Sequence, residues 1–268
     1  MGKFDGLLIC CDIDGTLIND DLKIPENNLR AIEYFRSEGG LFTIATGRTI
    51  FGAALYFDEI NPDTPLICQN GGAIYDCQKK EYLWYSVLPD NARAVVEYVE
   101  RKFPFAGIEI LTCDTVYFSR ESDFTTLHKT QELFETTSKC WRDIHEPWIK
   151  VLFAQSPEEA DILQADIEKQ PFYRDFRIMR SAPTYYEFIE KNSNKGNAIK
   201  MLSDITGHSM QKIITIGDND NDYTMLRAVN QSFVPSCASK KAKENAKTIL
   251  QSTNNDGLLQ EVLERITV

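Results

Sequence analysis

Leu7-Leu8-Ile9-Cys10-Cys11-Asp12-Ile13-Asp14-Gly15-Thr16-Leu17 is the stretch on which the fold turns. The apolar run Leu7 to Cys11 is short and bounded, as a buried strand is, and it delivers the chain straight onto carboxylates. Asp12 and Asp14 stand at i and i+2, a spacing that points both side chains the same way. One such carboxylate can attack a phosphorus atom while its neighbour donates a proton to the leaving oxygen and later deprotonates water. Gly15 lets the backbone turn sharply beside a ligand. Strand-ending turns also use Asp and Gly, so this pattern alone leaves the structural and chemical readings level.

Working outward, Pro25-Glu26 opens a helical pattern carrying Leu29, Ile32 and Phe35, which Gly39-Gly40 closes. Leu41 to Ala45 is a second strand running into Thr46-Gly47-Arg48, and a helix is predicted over Thr49 to Glu59. Leu66-Ile67-Cys68 is a third strand, ending at Asn70-Gly71-Gly72. Strand and helix in alternation predict a parallel sheet with right-handed crossovers. After Ala73 the texture changes: Ile74-Tyr75 and Tyr82 to Val87 flank Asp76-Cys77-Gln78-Lys79-Lys80 as in a hairpin. Between Pro89 and Ile189 the pattern predicts helices near Asn91–Arg101, Phe124–Phe134 and Glu158–Lys169. Strands fall near Ile108–Leu111, Val116–Ser119, Ile149–Ala154, Arg177–Met179 and Tyr185–Ile189, which makes a separate α+β domain. The βα pattern returns with a helix at Lys195–Ile205, a strand at Lys212–Ile216, and helices at Asp222–Ala228 and Leu258–Ile266. The expected division is a discontinuous sheet domain, 1–84 with 191–268, interrupted by residues 85–190.

A second acidic cluster ends the returning strand. Ile213-Ile214-Thr215-Ile216 leads into Gly217-Asp218-Asn219-Asp220-Asn221-Asp222. Oxygen-only ligands suit a hard cation such as Mg²⁺, which takes one or two carboxylates and keeps waters and phosphate oxygens. A calcium loop is the rival, since Asp218, Asp220 and Asp222 match its first three ligand positions. It fails because Tyr223 stands where glycine is needed and Val229 where the bidentate glutamate belongs. Phosphoryl transfer also needs donors and positive charge around the phosphoryl oxygens. Thr46, at the end of the second strand, and Lys195, at the start of the returning helix, both open towards the carboxyl edge where such sheets bind ligands. Singly they read as a helix cap and a surface lysine; together with the acids they read as a site.

Four segments together resemble the haloacid dehalogenase superfamily, in the order and spacing of its Cof-type phosphatase branch: Asp12 to Leu17, Thr46-Gly47-Arg48, Lys195-Gly196, and Gly217-Asp218 with Asn221-Asp222. The resemblance covers essentially the whole chain. It implies an α/β fold, with a Rossmann-like core carrying a parallel sheet and an inserted α+β cap domain that controls substrate specificity. It implies a Mg²⁺-dependent phosphatase that hydrolyses a small phosphorylated metabolite (a sugar phosphate, a nucleotide-like phosphate or a cofactor phosphate) through an aspartyl-phosphate. By the same resemblance Asp12 is nucleophile and metal ligand, and Asp14 is general acid/base and binds metal through its carbonyl. Thr46 with Gly47, and Lys195, hold the phosphoryl group. Asp218 ligates Mg²⁺, Asn221 sits against the phosphate, and Asp222 supports metal and lysine from nearby. Asn70-Gly71 looks like the substrate-side loop of that branch. Asn192-Ser193-Asn194 departs from the Gly-Val-Ser-like approach more usual before the lysine.

Bulk properties narrow the rest. Length of 268 residues allows one large α/β unit or two modest domains, and 43% hydrophobic residues can bury a substantial core. A formal charge of −11 without a broad basic face argues against nucleic acid as a partner; Lys240, Lys241 and Lys243, followed by Glu244, read as a solvated helix face. Seven cysteines without a C-x-x-C pair predict free thiols, with Cys10 and Cys11 as core filler. No apolar run precedes Asp12 in the manner of a signal peptide and none reaches membrane-spanning length, so a cytoplasmic protein with no membrane or obligate protein partner is expected. Trp84, Trp141, Trp148, Tyr185 and Tyr186 read as core in preference to ligand stacking, and His128 and His145 lack the spacing of a metal site. Two other readings compete: a phosphosugar mutase with the same aspartyl-phosphate chemistry, and a non-catalytic metabolite- or cation-binding protein.

Overall fold

The structure is a computed structural model and describes residues 2–113, 115–132 and 135–267. The chain divides into two compact units, Met1–Trp84 with Asn194–Val268, and Tyr85–Ser193.

In the first unit β1 (Leu8–Cys11) lies between β2 (Leu41–Ile44) and β12 (Ile213–Ile216), and β13 (Gln231–Val234) and β14 (Thr248–Ile249) extend the sheet on the β12 side. Every pairing in this five-stranded sheet is parallel. Alternation along β1 explains why no residue of it is polar. Ile9 and Cys11 join the core with Ile32 and Phe35 of α1 (Glu26–Ser37) and Val262 and Leu263 of α10 (Leu259–Arg265). Leu8 and Cys10 join the opposite core with Ile199 and Leu202 of α7 (Lys195–Thr206) and Met225 and Leu226 of α8 (Tyr223–Ala228). Helices thus cover both faces, and burying each such side chain stabilises the unit by roughly 1.5–3 kcal/mol. α1 ends as predicted at Gly39-Gly40, where the Gly39 and Gly40 amides donate to the Arg36 and Phe35 carbonyls at 2.9 and 3.0 Å. α9 (Lys240–Asn245) carries the helix face read at Lys240, Lys241 and Lys243, whereas β14 was not anticipated from the sequence, nor was β13, whose buried Ser232 accepts the Lys247 amide on its hydroxyl at 3.0 Å.

Two predicted elements need correction. The helix expected over Thr49–Glu59 is two short ones, α2 (Ile50–Ala54) and α3 (Phe57–Ile60). Thr49 caps the first, accepting the Gly52 amide at 3.1 Å, and the chain then tightens so that Tyr56 N–H donates to Ala53 O at 3.1 Å and its ring is buried. The third strand, β3 (Leu66–Cys68), meets β2 only through the parallel bridge Ala45–Ile67. A tight turn over 69–71 reverses it into an antiparallel sheet with β4 (Ala73–Asp76) and β5 (Glu81–Tyr85). The hairpin turn between those two is set by Asp76 Oδ1, which accepts the Gln78 and Lys79 amides at 2.9 and 3.0 Å.

The second unit is built on a six-stranded sheet in the order β10-β11-β9-β6-β7-β8: Phe176–Ala182, Tyr185–Glu190, Lys150–Ala154, Gly107–Leu111, Val116–Arg120 and Thr136–Ser138. Pairing is antiparallel except between β7 and β8. The strand β8 was not read from its sequence, Thr-Thr-Ser, which has no apolar face. α4 (Ala92–Lys102) and α6 (Pro157–Ile167) supply Val95, Val96, Val99, Leu163 and Ile167 to one core with Trp141, Trp148 and Tyr186, the core role read for these aromatics. α5 is Asp123–Glu132; the predicted helix end at Phe134 lies outside the described residues. His128 is buried against Glu109, Nδ1 to Oε2 2.7 Å, whereas His145 is exposed. All seven cysteines are free thiols, and among the described residues no helix is long and apolar enough to cross a membrane.

Candidate active site

The site lies wholly within the first unit, where β1, β2, β3 and β12 deliver their carboxyl ends. Asp12 follows β1 and donates its amide to Ile216 O at 2.8 Å, so it stays in register with the sheet. The chain then winds through one wide turn, closed by Ile18 N–H to Ile13 O at 3.0 Å. Gly15 takes φ +72°, and a Cβ there would stand 2.5 Å from Asp218 Oδ2, so the turn needs glycine both for its conformation and for the approach of that carboxylate.

Lys195 opens α7 and is fully buried. Its Nζ donates to Asp12 Oδ1 at 2.7 Å and to Asp222 Oδ1 at 2.6 Å. Asp222 is also fully buried, and its second oxygen accepts the Asp218 and Asn219 amides at 2.9 and 3.0 Å. Both Asp222 oxygens are therefore engaged in holding the lysine and the turn after β12. Asp218 Oδ1 accepts the Thr16 hydroxyl at 2.8 Å. Oxygens of Asp12, Asp218 and Asp222 all lie within 4.8 Å of one another.

Three carboxylates around one ammonium leave an excess of negative charge, and the titration of the site reflects it. Burial and then the Asp222 carboxylate push Asp12 well above its ordinary value, against the pull of Lys195. Burial and Asp222 push Asp218 up to about 6, with the Thr16 hydrogen bond opposing. For Lys195, burial pulls downward, but Asp12 and Asp222 outweigh it and hold the ammonium protonated. The neighbouring Cys11 thiol is pushed up by burial and then by Asp12, so it stays unreactive. A hard divalent cation fits this donor set: the groups are oxygen-only, crowded, and short of positive charge. Asp222 has both oxygens engaged within the protein, which leaves Asp12 and Asp218 as the carboxylates that could hold it.

The other predicted residues gather at the same edge. Asn221 Nδ2 donates to Asn70 Oδ1 at 2.8 Å, and Asn70 N–H donates to Thr46 O at 3.0 Å. Gly47 backs onto the same amide: a Cβ on it would come within 3.0 Å of Asn70 Oδ1. Gln69, Asn70 and Gly71 have φ of +53°, +57° and +87° in succession, a turn that brings Gly71 so close to Asn194 that a Cβ would meet its carbonyl carbon at 2.3 Å. Asn194 itself caps α7, accepting the Asn197 amide at 2.9 Å, so the departure from the Gly-Val-Ser-like approach still gives the helix a sound start. Thr46 Oγ1 accepts the Arg48 amide at 3.1 Å, and the cap of α2 falls to Thr49 instead.

Sequence reasoning missed Thr16 and Arg48 as members of the site. Asp14, with a half-exposed side chain, is paired by both oxygens with Arg48, Nε to Oδ2 at 2.9 Å and Nη2 to Oδ1 at 2.7 Å. The available signal was position alone: Thr16 follows the turn glycine, and Arg48 directly follows Thr46-Gly47.

The fold and this edge of carboxylates, lysine and threonine define a hydrolase of one class. A family model described as haloacid dehalogenase-like hydrolase matches residues 9–262, and the chain belongs to that family. A Streptococcus pyogenes serotype M6 protein, provisionally named a phosphatase, is 29% identical over 265 residues, covering 95% of this chain and 96% of that one. The 5-amino-6-(5-phospho-D-ribitylamino)uracil phosphatase YcsE of Bacillus subtilis is 26% identical over 262 residues, 95% of this chain and 94% of that one. In fold, the chain is similar to the crystal structure of a haloacid dehalogenase-like hydrolase from Bacteroides thetaiotaomicron, with a TM-score of 0.85 at 22% identity, covering 97% of this chain and 99% of that one.

Proposed function

We propose that this chain is a Mg²⁺-dependent phosphatase acting on a small phosphorylated metabolite through an aspartyl-phosphate on Asp12. The observation that carries the proposal is the Asp12 carboxylate, 4% exposed at the end of β1, with Lys195 Nζ at 2.7 Å and the Asp218 and Asp222 carboxylates beside it. In the first half-reaction an Asp12 oxygen attacks phosphorus, the ester P–O bond breaks, and the leaving oxygen takes the proton of the Asp14 carboxylic acid. In the second, the Asp14 carboxylate removes a proton from water as that water's oxygen attacks phosphorus. The bond from phosphorus to Asp12 breaks, releasing inorganic phosphate and returning Asp14 to its acid form.

Lys195, Thr46 with the backbone at Gly47, and Asn221 bind the phosphoryl oxygens in this scheme. Lys195 contributes a full charge that its two carboxylate partners keep protonated. Asn70-Gly71 bounds the substrate side, and Asp222 holds Lys195 in place. Asp12, Asp218 and the Asp14 carbonyl would hold the cation, whose chemistry when bound is to neutralise charge on the phosphoryl group. Residues 85–190 are proposed as the cap that selects the substrate. Relatives named for a phosphoribitylamino-uracil support a sugar, nucleotide-like or cofactor phosphate as the substrate class. The test is release of inorganic phosphate from a panel of phosphorylated metabolites, with Mg²⁺ and with EDTA, for wild type and Asp12→Asn. Release that needs Mg²⁺ and vanishes in the variant supports the proposal; wild type that binds a metabolite but releases nothing refutes it.

A further inference from the structure

Asp14 has an acid's duty in this scheme but sits in a turn between a strand end and a glycine, with half of its side chain exposed. The hydrogen bonds to its carboxylate among the described residues both come from Arg48. Arg48, by contrast, is anchored at every level. Its amide donates to Thr46 Oγ1 at 3.1 Å and its carbonyl accepts the Gln69 amide at 2.8 Å. Its side chain is 13% exposed, and the guanidinium carbon stands 5.3 Å from the ring centre of the buried Tyr56. Tyr56 lies between α2 and α3.

We propose that Arg48 is a positioning residue for Asp14: seated on Tyr56, its planar fork fixes where the carboxyl group of the acid points. This inference rests on the phosphatase reading of the same site. A carboxylate can accept both N–H groups of the fork, as observed. The two-bond pairing restricts rotation of the Asp14 carboxyl group and holds it in one orientation. Lysine, a single ammonium on a flexible stem, offers no matching fork.

The test compares two monoesters on each preparation. One is p-nitrophenyl phosphate, whose phenolate departs without a proton; the other is the best alkyl phosphate of the panel, whose alkoxide requires one. In Arg48→Gln we expect kcat/KM for the alkyl ester to fall on the order of 10- to 100-fold while the aryl ester stays within about threefold. Arg48→Lys should fall between the two, and Tyr56→Leu should move the ratio the same way by less. Unfolded or inactive enzyme cancels in the ratio, so a purely structural role leaves it unchanged. Equal losses on both esters, or an unchanged ratio in all three variants, overturns the proposal while leaving the phosphatase reading intact. Wild type that cleaves neither ester overturns both.

Discussion

Replacing Lys195 by Met removes the ammonium buried between Asp12 and Asp222 and keeps most of the side-chain volume. The ammonium lies 2.7 Å from Asp12 and 2.6 Å from Asp222, with Lys195 and Asp222 both fully buried. Breaking a buried pair by removing one partner costs about 3–5 kcal/mol, because the remaining charge has neither water nor counter-ion. Two carboxylates are stranded here, so the upper part of that range applies unless they take up protons. The sign follows from Asp12, already raised above its ordinary value of 3.8 by burial and Asp222 and raised further when Lys195 is gone. A carboxyl raised on folding contributes its stability below the unfolded value and loses it as pH climbs through the folded value. The deficit of the variant should therefore be largest near neutral and alkaline pH and shrink in acid. Urea unfolding in EDTA, at about pH 8 and about pH 4.5, measures it directly. A variant as stable as wild type at the higher pH, or destabilised equally at both, refutes the electrostatic account of this centre.

Two further outcomes follow from the same cluster. Asp218, pushed up to about 6 by burial and Asp222, makes the metal-free protein lose stability, on the order of 3 kcal/mol, as pH rises from about 4 to 7. Thermal melts should show that loss in EDTA and its recovery on adding Mg²⁺; a melting temperature that rises through this window in EDTA contradicts it. Thr16→Val deletes the hydroxyl that Asp218 accepts at 2.8 Å, and it should weaken Mg²⁺ binding about 10- to 100-fold, read by titration calorimetry or by the Mg²⁺ dependence of the melt. Unaltered affinity would mean that the hydroxyl does not orient the carboxylate.

What the sequence disclosed, and what it withheld, divides along the range of the interactions. Residues 7–17 were readable because everything that matters there is local: an apolar strand, acids two apart, and a glycine that lets the chain turn. The two-faced sheet was readable for the same reason, since alternation along β1 needs helices on both sides. The pair Asp14–Arg48 was not, because 34 residues separate its members and nothing in either segment names the other. The break between Ala54 and Phe57 carries no Gly or Pro to mark it, so a helical pattern continued straight through it. β3 runs parallel to β2 as read, but the turn at 69–71, with three successive positive φ values, sends the chain back as β4 antiparallel to it and draws β3 into a separate sheet. Short polar strands such as Thr136–Ser138 carry no period to detect, because their pairing is decided by neighbours.

The most direct measurement is the mass of the enzyme itself during turnover. Wild type mixed with its best substrate and Mg²⁺, quenched in acid within one turnover and digested, should yield a peptide heavier by one phosphoryl group, with the group on Asp12. Its amount should rise and fall in step with phosphate release. An unmodified Asp12 peptide throughout a productive turnover, or an Asp12→Asn enzyme releasing phosphate at the wild-type rate, would contradict the claim that this carboxylate is the nucleophile.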